Sequence, residues 1–323
     1  MLHLNKKIFI VLFLFISGFV LATEPVWDAN KVILKSEKIT SGVYAYYPTN
    51  AKELEKKGLA VATSGGFIIG NKGIFLIETM INKRLHKQVQ QLIKEASNKR
   101  VLYAVNTSFH GDHSYGNMYL NKNTIIIQHQ NAKNYIAKHF ENDKKFMINT
   151  FGKNRGIEEI VPTLPDILIQ ENSSMSIDLG NRIVEIIDFG FAQTGGDLFI
   201  WLPDSKVLWT GNPIITFKPS VPWLLDGHLV ETLSSLKKVY AFLPKDAKII
   251  PGHGSIMQKE DLKWHINYLQ TIKDEVSKAI KEGLSLEETV KKVSMEEFKG
   301  YALFGWVHPK LNIPAAYKDL KKK

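Results

Sequence analysis

Val101-Leu102-Tyr103-Ala104-Val105 is an unbroken apolar run that leads straight into NTSFHGDHSYGN, residues 106–117. A run of this kind, with no polar face, reads as a strand buried on both sides. The stretch after it packs His110, Asp112 and His113 into four positions. Histidine is the commonest protein metal ligand. Two imidazoles with a carboxylate suit zinc or another borderline divalent ion. The chain must therefore fold so that a buried strand delivers this cluster to a loop.

Similar segments recur on either side. Strands are expected over residues 31–35, 42–47, 59–69 and 73–77, the last two joined by a turn at Gly70-Asn71-Lys72-Gly73. Gly and Asn supply the positive φ values such a turn needs. Residues 50–58 read as a charged connector. Leu85, Val89, Leu92 and Ile93 stand at helical spacing within 82–98. A strand over 124–128 and a helix over 131–146 follow, then a polar connector to about Pro165. The second half repeats the pattern. Strands are expected over 182–188, 198–202 and 206–209, a helix over 230–242, and a strand over 247–250 that ends in Pro251-Gly252-His253-Gly254. Beyond Lys259 the chain reads as helical. Strands then a helix, twice over, imply two sheets between helices: an α/β fold with αββα four-layer sandwich architecture. Residues 23–255 form this domain, with 256–323 a C-terminal helical extension packed on it.

Lys6 and Lys7 precede an apolar stretch over residues 8–21, and Val20-Leu21-Ala22 forms a small-residue cleavage site. Residues 1–22 thus read as a signal peptide, which makes the mature chain periplasmic or secreted, with no stable membrane insertion after cleavage. The sequence has no Cys, so an exported chain must draw its stability from its core and a metal. Net charge is +10, from 42 Lys and Arg against 32 Asp and Glu. Losing Lys6 and Lys7 leaves +8. The excess is mostly Lys and is not interleaved with aromatic residues, so no nucleic-acid partner is expected. Oligomeric state is not legible.

Several motifs, in order, resemble those of the metallo-β-lactamase superfamily. Residues 106–113 are similar to its HxHxDH motif. Ser64-Gly65-Gly66-Phe67 with Ile77-Glu78-Thr79 resembles its SGF…IDT hairpin, with Glu78 where Asp is usual. Ser114-Tyr115-Gly116-Asn117 resembles T-x-GN. Gln193-Thr194-Gly195-Gly196-Asp197 resembles GHTPGD, Thr210-Gly211-Asn212 resembles TGD, and residues 251–254 match PGHG. The tail, with Asn312 and Tyr317, is similar to exported glyoxalase II-like and SoxH-like members. The resemblance implies two metal sites, and this chain departs from one of them. The first-site positions hold Ser108, His110 and Gln193, and the bridging position holds Asn212. The second-site ligands Asp112, His113 and His253 are intact. Neutral Ser and Gln oxygens are poor zinc ligands. One zinc ion on Asp112, His113 and His253 is therefore expected, or none if the site is degenerate.

Two functions follow as expectations. The first is an exported metal-dependent hydrolase of a small molecule, cleaving an ester, thioester, lactone or lactam by metal-bound hydroxide. Asp112 and His110 would carry the catalysis, with His110 moving a proton. The second is a catalytically degenerate binding protein of the same fold. Ser108 lacks an acid partner for a nucleophilic triad. His228 and Trp223 are expected to touch substrate, and Glu78 to orient a ligand. An iron persulfide dioxygenase is disfavoured, because that branch relies on the replaced first-site positions. His86, His129, His139, His265 and His308 lie outside the matched motifs.

Overall fold

A computed structural model describes residues 25–226 and 228–322. The expected signal peptide, residues 1–22, lies outside them. Among the described residues no helix is long and apolar enough to cross a membrane.

The strands divide into two sheets. The first contains β1 (Leu34–Thr40), β2 (Val43–Pro48), β3 (Gly65–Ile69), β4 (Ile74–Ile77), β5 (Val101–Val105), β6 (Ile125–His129) and β7 (Ile167–Ile169), in that order. It starts as an antiparallel meander and turns parallel from β4 onward. The second contains β8 (Ser174–Asp178), β9 (Ile183–Ile187), β10 (Phe199–Leu202), β11 (Val207–Gly211), β12 (Lys248–Pro251) and β13 (Met257–Gln258), in the order β13-β12-β11-β10-β9-β8. The helices are α1 (Ala51–Lys56), α2 (Lys83–Ala96), α3 (Gly111–Ser114), α4 (Gln130–Phe151), α5 (Leu229–Phe242), α6 (Leu262–Lys281), α7 (Leu286–Lys292), α8 (Phe304–Trp306) and α9 (Ile313–Lys321).

Strand alternation builds the layers. Among the described residues the core falls into three apolar clusters. Phe75 and Ile77 of β4 meet Ile200 and Leu202 of β10 and Trp209 of β11 between the sheets. The intervening Ile74 and Leu76 face Leu85 and Val89 of α2 and Ile136 and Phe140 of α4. On the far side Phe199 and Leu208 meet Leu233 and Leu236 of α5 and Leu269 and Ile272 of α6. Because successive strand side chains point to opposite faces, each sheet buries one face on its partner and one on helices. This is the expected αββα sandwich, with α6 to α9 as the C-terminal helices.

Several boundaries differ from the sequence reading. β1 is displaced from 31–35 to Leu34–Thr40, because this edge strand has only Leu34 buried and is mostly polar. Residues 50–58 hold α1, whose single turn buries just Ala51 and Glu55. Only the second half of 59–69 is a sheet strand. The Ser64 N–H donates to the Gly252 carbonyl at 2.7 Å, and Thr63 bridges His253, so the segment before β3 pairs with the opposite half of the molecule. Helix α4 runs past Phe146 to Phe151, since Met147 and Phe151 continue its buried stripe.

Candidate metal centre

The opening motif sits at the carboxyl end of β5. The chain then turns so that Gly111–Ser114 forms a single helical turn with Asp112 and His113 fully enclosed. His253 follows β12 in the other sheet. Asp112, His113 and His253 offer one ligand atom each, and those atoms lie within 4.8 Å of one another. Both Nε2 atoms stand 3.5 Å from Asp112 Oδ2.

The far nitrogens are secured. His253 Nδ1 lies 3.0 Å from the Val61 carbonyl, which fixes the proton there and turns the bare Nε2 inward. His113 Nδ1 lies 3.1 Å from Glu78 Oε1. The Thr63 hydroxyl donates to Asp112 Oδ2 at 2.6 Å. Imidazoles held by an outer carbonyl or carboxylate are oriented as metal-ligating histidines are. The donor set of one carboxylate and two imidazoles therefore fits a divalent ion such as zinc.

Glu78 is held firmly. Its backbone adopts the left-handed φ of 67°, uncommon for a residue with a side chain. Tyr46 donates its hydroxyl to the Glu78 carbonyl at 2.8 Å, and the Thr107 N–H donates to Oε1 at 3.2 Å. Strained backbone of this kind persists where the surroundings over-determine it.

Electrostatics follow from enclosure. Burial disfavours a charged His113, yet the Asp112 and Glu78 carboxylates outweigh it and raise the ring to about 9. Burial lowers His110 and His253 to about 4. For Asp112 burial pulls upward, but the surrounding imidazoles and Thr63 leave the carboxyl below its ordinary value.

The substituted positions form a neutral cluster alongside. Asn212 places Oδ1 2.9 Å from His113 Nε2 and Nδ2 3.3 Å from His110 Nδ1. Ser108 Oγ lies 3.2 Å from the same His110 nitrogen. With the Asn212 amide donating to Nδ1, the His110 proton belongs on Nε2. Gly252 packs against Asn212: a Cβ there would stand 2.4 Å from Oδ1. Gln193 is buried, and neither end of its amide has a hydrogen-bond partner. The one imidazole here, His110, thus stands among three neutral side chains, Ser108, Gln193 and Asn212.

A narrow cleft of about 60 Å³ opens over these groups. His110, Asp112, Gln193, Asn212 and His253 line its base, while Trp27, Met147, Phe151, Trp223 and Leu225 form much of its wall. Trp223 is thus in the lining. His228 is not: it stacks on Phe191, ring centres 4.0 Å apart, and stands 3.4 Å from Glu231. The wall formed where Trp27 packs on Phe151 at 4.4 Å was not foreseen, since nothing local links residue 27 to the end of α4. Glu55 was also missed. Buried in α1, it accepts the Thr216 hydroxyl at 2.9 Å and the Ser255 N–H at 2.6 Å, beside the turn that carries His253.

The chain is similar to known proteins over much of its length. The type 2 metallo-β-lactamase of Bacillus cereus is 23% identical over 201 residues, 62% of this chain and 70% of that protein. That of Bacteroides fragilis is 21% identical over 250 residues, 77% of this chain and 90% of the other. Among solved structures, a metallo-β-lactamase from Pontibacter korlensis superposes with a TM-score of 0.59 at 19% identity, covering 74% of this chain and 99% of its own. A stereoselective inverting sec-alkylsulfatase from a Pseudomonas species gives 0.68 at 14% identity, covering 88% and 50%. No family profile matches the chain. The fold is the metallo-β-lactamase fold; these likenesses do not reach the branch within it.

Proposed function

We propose that this chain is an exported metal-dependent hydrolase that holds one zinc ion on Asp112, His113 and His253 and cleaves an ester, thioester, lactone or lactam. The observation that carries the reading is the convergence of two Nε2 atoms on the Asp112 carboxylate, each 3.5 Å away, with the far nitrogen of His253 on the Val61 carbonyl and that of His113 beside the Glu78 carboxylate. The lactamase and sulfatase relatives, named for hydrolytic enzymes, support the reaction class. Type 2 lactamases and the alkylsulfatase act on different bonds, so the relatives leave the scissile group open.

When bound, zinc would supply a Lewis acid and lower the pKa of a water molecule towards about 7. The chain's own residues do the rest. Thr63 fixes the Asp112 carboxylate, and Val61 and Glu78 fix the rings. The apolar wall excludes bulk water, which strengthens every polar contact at the base. His110 presents an Nε2 proton, so it hydrogen-bonds the oxyanion that develops on the attacked carbonyl.

Metal analysis of the mature protein tests this. Close to one zinc per chain is expected after reconstitution, with hydrolysis of an activated ester or lactone. Occupancy below about a tenth of an equivalent would sink the reading.

The Asn212 amide favours a second one, a metal-free binding scaffold, because its contact with His113 satisfies that ring without an ion. On that reading a chelator leaves the melting temperature unchanged and Asp112→Ala leaves ligand binding intact.

A further inference from the structure

We infer that the cleft selects an uncharged acyl substrate with a short apolar arm, and that the Gln193 amide is its hydrogen-bonding contact. This rests on the hydrolase reading and adds the substrate's chemical character.

Charge is the first observation. The sequence carries 42 Lys and Arg, yet among the described residues lining the cleft none is a lysine or an arginine. The one acidic side chain in that lining is Asp112. A carboxylate tail on the substrate would leave water for a surface of Trp27, Phe146, Met147, Phe151, Trp223 and Leu225 with no side-chain cation to pair it. An apolar arm against the same rings meets no such penalty.

The second observation is an open hydrogen-bond demand. Gln193 is 2% exposed and lines the cleft. Its backbone N–H donates to Asp197 at 2.7 Å, but its side-chain oxygen and nitrogen have no partner. The Trp223 indole N–H, also in the lining, has none either. Buried amides are almost always paired, so an unpaired one beside a cleft marks where a bound group completes the bonding. Both Gln193 and Trp223 offer neutral donors, which match a carbonyl or ester oxygen.

Size sets the arm. A cavity of about 60 Å³ takes about four to six water-sized groups at roughly 10–15 Å³ each. That is the bulk of a short acyl chain. In the reaction, water adds its oxygen to the acyl carbon, the acyl C–O bond breaks, and a proton passes to the departing alkoxide.

The test uses the zinc-loaded mature chain and two p-nitrophenyl esters that differ in their tails, the butyrate and the hemisuccinate. The butyrate should give a kcat/KM on the order of tenfold higher or more. Equal or faster turnover of the hemisuccinate overturns the inference. If neither ester turns over with zinc bound, the hydrolase reading fails. Binding then decides the cleft's preference by itself: N-methylbutyramide and succinamate are titrated into zinc-free protein, followed by isothermal calorimetry. N-methylbutyramide should bind and succinamate should not, and the reverse order overturns the inference. Gln193→Ala should weaken N-methylbutyramide about tenfold while leaving the melting temperature within a degree or two, because no internal hydrogen bond is lost. A variant that binds as the parent does, or one that falls in melting temperature without losing affinity, removes Gln193 from the site.

Discussion

Glu55 and Ser255 stand 200 positions apart in the chain and are joined twice, the Ser255 N–H and hydroxyl both donating to the Glu55 carboxylate at 2.6 and 2.7 Å. The same carboxylate accepts from Thr216. Between Ser255 and His253 lies Gly254, whose φ is +124° and whose added Cβ would stand 2.1 Å from Glu55 Oε1. One buried acid on a single helical turn thus shapes the turn that presents His253.

Glu55→Ala should therefore destabilise the protein by about 2–4 kcal/mol, since it strands buried donors that had a charged acceptor. Chemical denaturation reads the midpoint. Zinc affinity should fall with it, because His253 loses its support. An unchanged midpoint would show that water replaces the carboxylate at no cost.

Zinc uptake should release about one proton per ion below pH 9. In the zinc-free chain His113 is held charged up to about 9, while His110 and His253 are neutral down to about 4. Ligation needs the bare His113 Nε2, so affinity should rise about tenfold per pH unit between roughly 7 and 9. Calorimetry in buffers of different ionisation enthalpy counts the protons. Glu78→Gln removes one of the charges that raise the ring and should flatten this dependence.

Asp197 should make stability fall as the medium turns from acid to neutral. Burial lifts its carboxyl from an ordinary 3.8 to about 7, against the downward pull of the Thr194 and Gln193 N–H groups. Between those values the folded chain keeps a proton that the unfolded chain has lost, so this group's contribution declines as pH rises through the window. Asp197→Asn should abolish that slope, worth up to about 4 kcal/mol at pH 8. Thermal unfolding of both proteins at pH 5 and pH 8 decides it.

Restoring three ligand-type side chains should create a second site. Ser108→His, Gln193→His and Asn212→Asp together place imidazoles and a carboxylate around His110. Zinc stoichiometry should rise from about one to about two per chain. A stoichiometry that stays near one would mean that the local backbone no longer fits an ion there.

Much of this was legible because the signals were local. The apolar run Val101–Val105 is β5 with the same bounds, and Leu85 and Val89 mark the buried side of α2. Asp112, His113 and His253 are brought together as their motifs implied. What escaped was long-range. Glu55 sits in a charged stretch with no apolar period, and its partners Thr216 and Ser255 lie in the other half of the chain. Trp27 gains meaning only when it reaches Phe151. β7 is only the three residues Ile167-Leu168-Ile169, too short for a period to show, and β8 is a five-residue edge strand with Ile177 its one buried side chain. The left-handed Glu78 leaves no trace in composition, because its conformation comes from Val105, Tyr46 and Thr107 around it.

Asp112 and His113 follow a strand of one sheet, and His253 follows a strand of the other, where Thr63 bridges to it. The three groups that would hold an ion therefore come together only after the two halves have closed on each other. A ribosome must have released residues well past 253 before an ion could be gripped there, so on the proposed function loading would come late in maturation. The ion would then act as a clasp on a finished sandwich, not as a nucleus around which the halves gather.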